Sequence, residues 1–273
     1  MDVLRNASWD GLDWLRHGFS TRHGGISTVY GVGTLNLGWT KEDDPGSVRE
    51  NRRRLVEAVS GDESTSMRLV TVRQVHSGIV RVVARGDGAL EGRLETPEGK
   101  AVLEGDGLVT NIPGVLLGVG TADCVPVLIV DRAKHAVGAF HAGWRGTVAR
   151  IVERGIEAMG REYGSKAENL DAAVGPSIGT CCYAVGDEVR EKFAAEFDYG
   201  EELFRTDDGQ RYVDLWEANR RQLLDAGVAA EKIAVVGECT ACARDAAGER
   251  KYFSHRAEHG AAGRMLNVVG IAG

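Results

Sequence analysis

Apolar positions along the chain fall into short runs of two kinds, and their alternation predicts an α/β protein. Val115 to Gly120 and Val127 to Val130 are continuous apolar runs too short for helices, as expected of strands buried on both faces. Leu69 to Val75 and Ile79 to Val83 are rich in β-branched residues and read as two strands, with His76, Ser77 and Gly78 at the turn between them. His17 to Thr21, Ala136 to His141, Ala172 to Gly175 and Ile233 to Val236 are further extended segments. Val148, Ile151, Val152, Ile156 and Met159 recur at helical spacing and predict one helix from about Thr147 to Tyr163 with a single buried face. Ser47 followed by Glu50 reads as a capping box for a helix to about Val59, stopped by Gly61. Asp187 caps a helix to about Phe197, and Asp214 with Glu217 caps another ending near Gly227. Arg85 to Lys100, rich in Gly and Glu, reads as a surface excursion. The fold class expected is α/β: a layered domain with a mixed β-sheet flanked by helices, its strand order not readable from pattern.

Length and charge narrow the classes. With 273 residues, 43% of them apolar, the chain can bury a sizeable core, and a single domain over residues 1–273 is expected. A net charge of -7 gives no global basic field to track a nucleic-acid backbone, so an anionic substrate needs a local arginine cluster. Met1 to Trp14 has acidic residues and no apolar core of signal-peptide type. The apolar stretch Val115 to Val130 is interrupted by Thr121, Asp123 and Pro126 and is too short to span a bilayer. No membrane association is expected. Five cysteines, an odd number, suit a reducing cytoplasm better than a disulfide framework. Monomer and small homo-oligomer are both compatible with the pattern.

Candidate chemistry concentrates on His76, Cys124 and His141, each in glycine-rich, strand-like sequence. One thiolate and two imidazoles suit a divalent zinc ion, and three protein ligands leave a fourth position for water or substrate. Their spacing carries no local metal-site signature. The turn Gly143 to Gly146 after the strand at His141 would present His141 and Arg145 at a helix N-terminus, where backbone N–H groups favour an anion. Cys239 and Cys242 form a CxxC, with Cys181 and Cys182 elsewhere. Adjacent cysteines do not easily point at one metal, so these four read as packing residues.

A set of ordered segments changes the weight of these signals: HGFSTRHGGIS at 17–27, LNLG at 35–38, RENRRRL at 49–55, RQVH at 73–76 and GDGLVT at 105–110. They continue with TADCVPVLIVD at 121–131, HAGWRGT at 141–147, GPSIGTCCYAVGDEV at 175–189 and FSH at 253–255. Together they resemble the polyphenol oxidase "laccase domain" family, regarded as purine nucleoside phosphorylases and including a peptidoglycan editing factor. The resemblance covers nearly the whole chain. It implies an α/β layered fold similar to that of cysteine deamidase toxins, and one zinc ion on His76, Cys124 and His141. It also implies purine nucleosides and phosphate as substrates: phosphorolysis of adenosine, inosine, guanosine and methylthioadenosine, with deamination of adenosine. Copper is disfavoured, because a multicopper site needs many closely spaced imidazoles and this chain has seven His with no His-X-His.

Deamination needs a carboxylate to move protons, and Asp123 and Asp106 are equal candidates. Phosphorolysis needs cationic donors for phosphate, for which Arg22 and Arg145 stand beside glycines that allow close approach. His23 and Asn36 are candidates for ribose or base, and Ser177 and Cys181 for the same cleft. Two features depart from the family pattern: Arg256 is followed by Ala257 where a second arginine is usual, and Cys242 is not expected. The competing reading is a cysteine amidohydrolase that edits peptidoglycan precursors, with Cys124 as nucleophile and His141 as its base.

Overall fold

The computed structural model describes residues 1–61, 67–86 and 88–273. It is built on two large sheets. One has five strands in the order Val3–Leu4, Leu15–Ser20, Met265–Ile271, Val115–Thr121 and Arg68–Thr71. The other has six: Ile233–Val235, Leu170–Val174, Val125–Asp131, Ala136–Ala142, Gly107–Thr110 and Val80–Val82. Both are mixed, with parallel pairs at 68–71 with 115–118, at 80–82 with 107–109 and at 172–174 with 233–235. A small three-stranded sheet joins Ala184–Val185, Gln210–Val213 and Phe204–Asp207.

The apolar alternation within strands explains the layering. Val125–Asp131 is buried throughout, and its residues divide by parity. Leu128 and Val130 pack with Leu117, Val119 and Val269 of the five-stranded sheet, so the two sheets lie face to face. Val127 and Ile129 point the other way, into a core with Ile151, Val152 and Met159 of the helix Ile151–Tyr163 and Leu223 of the helix Leu215–Asp225. The outer face of the five-stranded sheet, through Leu116, Leu266 and Val268, is covered by Leu55, Val56 and Val59 of the helix Pro45–Ser60. The α/β class with mixed sheets flanked by helices is as expected, with two sheets stacked between the helices.

Three local expectations need correction. The segments around 69–75 and 79–83 are not a hairpin: Arg68–Thr71 lies in one sheet and Val80–Val82 in the other, so His76 sits where the chain crosses between sheets. The first helix begins at Pro45, not Ser47, because Asp44 accepts the Ser47 N–H at 2.7 Å and proline is pre-set for the first turn. The helix expected from Thr147 is two, Trp144–Val148 and Ile151–Tyr163, broken at Arg150 with φ 56°. The expected helix N-terminus beside His141 therefore belongs to five residues only.

Helix Ile151–Tyr163 approaches its sheet through a glycine. A Cβ at Gly155 would lie 2.2 Å from Cε1 of the fully buried Phe140, and Gly107 and Gly138 border the same ring. Alanine favours a helix interior by about 1 kcal/mol over glycine, but overpacking a rigid core costs about 1–3 kcal/mol. Gly155→Ala is thus expected to lower stability by about 1–2 kcal/mol, read from the urea midpoint; an increase would mean that the ring has room to move.

His17 is buried in the second strand, its Nε2 accepting the Asn6 N–H at 2.9 Å and its ring edge-on to Trp9. Burial, aided by Arg5 and opposed by Asp10, lowers its pKa to about 4. The folded state therefore excludes a proton that the unfolded chain takes up near pH 6.5. Stability from this site is whole above that pH and is lost as pH falls towards 4, by up to about 3 kcal/mol. Denaturation at pH 7.5 and pH 4.5 should show a smaller acid loss in His17→Gln than in the wild type.

Candidate functional site

Two crossings between the sheets build the site. The first runs from Arg68–Thr71 to Val80–Val82 and carries His76; the second joins Val115–Thr121 to Val125–Asp131 and carries Cys124. His141 lies near the end of Ala136–Ala142, paired with Pro126 beside the second crossing. Gln74 pins the first crossing to the five-stranded sheet, giving its amide N–H to the Gly120 carbonyl at 2.8 Å and accepting the Gly120 N–H at 2.7 Å. Both crossings use left-handed backbone at non-glycine residues, φ 57° at His76 and φ 93° at Asp123. Such conformations cost of order 1–3 kcal/mol each and persist only when neighbouring groups impose them.

Asp106 imposes the first of these. Its fully buried carboxylate accepts the N–H groups of Val75, His76 and Ser77 and the Ser77 hydroxyl, at 2.6–3.3 Å. It also meets His141 Nδ1 at 2.9 Å; with Nδ1–H donating to the carboxylate, the neutral ring keeps its lone pair on Nε2. Burial works against the ionised carboxylate, but these bonds from His141 and Ser77 outweigh it and hold Asp106 well below the usual range. Asp123 is engaged as well, accepting the Thr240 hydroxyl and the Arg256 N–H, each at 2.7 Å. Unlike Asp106 it lines the cleft.

The donor atoms of His76, Cys124 and His141 all lie within 4.8 Å of one another. The two imidazoles meet edge to face at 4.8 Å between centroids, and Cys124 Sγ is 3.9 Å from His76 Nε2. Burial disfavours a Cys124 thiolate, yet the flanking histidines, His141 foremost, bring its pKa down to about 6. For His141 burial again opposes charge, and the Cys124 and Asp106 anions overcome it and raise its pKa. A Cβ at Gly143 would stand 2.8 Å from Cys124 Sγ and 3.2 Å from His76 Cδ2, so only glycine leaves this cradle open. Converged soft and borderline donors around an open cradle fit a single divalent metal ion of the zinc type.

The three residues open on a cleft of about 650 Å³, within the range of small-molecule sites. Arg145 lines it, its guanidinium 4.3 Å over the Trp144 ring. Arg52, Arg73, Lys100, Arg256 and Arg264 also border it, a cationic wall on a protein of net charge -7. Sequence reading did not single out Arg52, Arg73 or Gln74, although they sit in the RENRRRL and RQVH segments.

The other expected substrate contacts lie away from this cleft. Arg22 pairs with Glu258 at 3.0 Å, donates to the Tyr30 carbonyl and rests on Phe253. His23 meets Asp245 at 3.3 Å. Asn36 is buried, donating to Asp43 at 2.7 Å and accepting from Gly38 and Arg264. Ser177 is fully buried and accepts from Trp216. Their polar groups are already used inside the fold.

Comparison with known proteins identifies the family and leaves the metal open, since the family's description names copper. A profile described as multi-copper polyphenol oxidoreductase laccase matches residues 16–272. The chain belongs to this family. Among members of the laccase family, a purine nucleoside phosphorylase of Deinococcus radiodurans is 40% identical over 255 residues, covering 93% of this chain and 88% of that one. An adenosine deaminase, RL5, from an unknown prokaryotic organism is 39% identical over 227 residues, covering 82% and 84% of the two chains. The crystal structure of YlmD from Geobacillus stearothermophilus matches with a TM-score of 0.82 at 35% identity, covering all 100% of this chain and 97% of that chain. The names of these laccase-family relatives lend no support to a cysteine amidohydrolase. No helix among the described residues is long and apolar enough to cross a membrane.

Proposed function

We propose that this protein is a zinc-dependent purine nucleoside phosphorylase that also deaminates adenosine, working in the cleft beside His76, Cys124 and His141. The convergence of those three donors at the mouth of a cation-lined cleft carries the reading. The relatives named for phosphorolysis and for adenosine deamination support its two activities. Adenosine, inosine, guanosine and methylthioadenosine are the substrates, and the cytoplasm is the compartment that suits free thiols.

A zinc ion held by His76, Cys124 and His141 would supply Lewis acidity to a substrate or water in the cleft. Asp106 holds His141 in one tautomer through Nδ1 and keeps its ring aimed. We assign Asp106 this positioning role, since it is enclosed, and give proton movement to Asp123, the carboxylate on the cleft wall. Arg145 holds phosphate, with Lys100 and Arg264 lining the same cleft. Tyr183 lines the cleft too; burial raises its pKa to about 12, so it is a hydrogen-bond donor at neutral pH. In phosphorolysis a phosphate oxygen bonds to the sugar C1′ as the bond to the purine nitrogen breaks, and the base leaves with a proton. In deamination water adds at the amine-bearing carbon and ammonia departs.

One observation favours a second reading. Cys124, His141 and Asp106 form a chain of thiol, imidazole and carboxylate in the order a cysteine amidohydrolase uses. The deciding experiment measures adenosine and inosine turnover with and without phosphate and with and without a zinc chelator. Phosphate-dependent release of adenine or hypoxanthine that the chelator removes is expected. Absence of nucleoside turnover by zinc-loaded protein, with chelator-resistant hydrolysis of muropeptide amides, would overturn the proposal in favour of the amidohydrolase.

A further inference from the structure

Away from the cleft triad, two irregular loops bring the remaining cysteines together. Cys181 and Cys182 lie in a tight turn where the N–H groups of Cys182 and Tyr183 both reach the Gly179 carbonyl at 3.0 Å. That curl turns neighbouring side chains to one side, so the expectation that adjacent cysteines diverge does not hold here. Cys239 and Cys242 lie in a second turn, closed by the Ala243 N–H on the Cys239 carbonyl at 2.9 Å. The four sulfurs all lie within 4.8 Å of one another, and Cys181 Sγ is 3.6 Å from Cys242 Sγ. Four thiolates about 2.3 Å from one tetrahedral zinc stand roughly 3.8 Å apart, so one ion fits this spacing with small adjustments.

The surroundings of Cys239 are a second observation. Its sulfur accepts the Gly179 N–H of the facing loop at 3.3 Å. That bond fixes the direction of the Cys239 sulfur towards the loop that carries Cys181 and Cys182. Cys181 and Cys242 are exposed, so burial of apolar surface does not explain them either.

We infer that Cys181, Cys182, Cys239 and Cys242 bind a second zinc ion, a structural clip between the two loops that is separate from the site of His76, Cys124 and His141. The clip stands behind the cleft wall. Thr240, inside the CxxC, donates to Asp123; the Ile178 N–H donates to the Asp123 carbonyl at 2.9 Å; and Tyr183 follows Cys182 directly.

The test is metal content of reduced protein reconstituted with zinc alone, followed by cobalt substitution. About two zinc ions per chain are expected in the wild type and about one in Cys242→Ser and in Cys239→Ser. In His76→Ala the remaining cobalt should show the intense absorption of a tetrathiolate site, and X-ray absorption should count sulfur neighbours alone. Because this readout is stoichiometry and ligand type, failure of nucleoside turnover leaves it untouched. Either of two results would overturn the inference: one zinc per wild-type chain with four freely titratable thiols, or a Cys181–Cys242 disulfide in protein purified under reducing conditions.

Discussion

His76→Ala and His76→Gly are both expected to leave folded protein that has lost the metal of the cleft and at least ~10²-fold in kcat/KM, about 3 kcal/mol of transition-state stabilisation. The two variants should differ from each other. His76 is exposed and holds φ 57°, and Asp106 bonds to its backbone N–H, which either substitution keeps. Glycine adopts that conformation without the penalty alanine bears, so His76→Gly should be the more stable of the pair by about 1 kcal/mol. Paired thermal melts and metal analysis check this. Equal stability would show that the left-handed turn relaxes once the imidazole is gone, and full metal content in either variant would remove His76 from the ligand set.

Asp106→Ala should cost more stability than any cleft substitution. The carboxylate accepts from three consecutive N–H groups, a hydroxyl and His141 Nδ1, in a place closed to solvent. Its removal leaves several buried donors unpaired, and loss of about 3–5 kcal/mol is expected in urea denaturation. Metal affinity should fall about 10–100-fold as His141 loses its tautomer and aim. Asp106→Asn is the informative companion. It keeps the volume but turns one acceptor into a donor facing N–H groups, so it should resemble the alanine variant more than the wild type. A mild phenotype for both would show that the turn at 75–77 is held by its other contacts.

The sequence disclosed some of this arrangement and concealed the rest for identifiable reasons. The all-apolar runs at 115–120 and 127–130 announced strands buried on both faces, and both are. Which sheet each strand joins is a matter of distant pairing, so the apparent hairpin around His76 was in fact a crossing between layers. The break at Arg150 escaped because its left-handed residue is an arginine, without the glycine that marks such positions. His76, Cys124 and His141 stood out because each closes or follows a strand in a family segment. Arg22, His23, Asn36 and Ser177 stood in family segments too, yet their polar atoms serve the fold. A residue type shows what bonds a side chain can make, whereas only the folded chain shows which are already taken. The thiol cluster is the reverse case, since residues some sixty positions apart are brought together by the bridge between Ser177 and Cys239 and the hydrogen bonds around it.

The placement of His76 and Cys124 on connections between the two sheets bears on the order in which the protein assembles. Neither sheet alone contains the triad, because His76 and Cys124 belong to connecting chain and His141 to a strand of the six-stranded layer. The layers must dock, with their long-range strand pairings complete, before three donors share one space, and such non-local contacts form late. Affinity for the proposed ion would therefore be a property of the finished molecule. Metal uptake would then mark the end of folding, keeping partly assembled chains inactive.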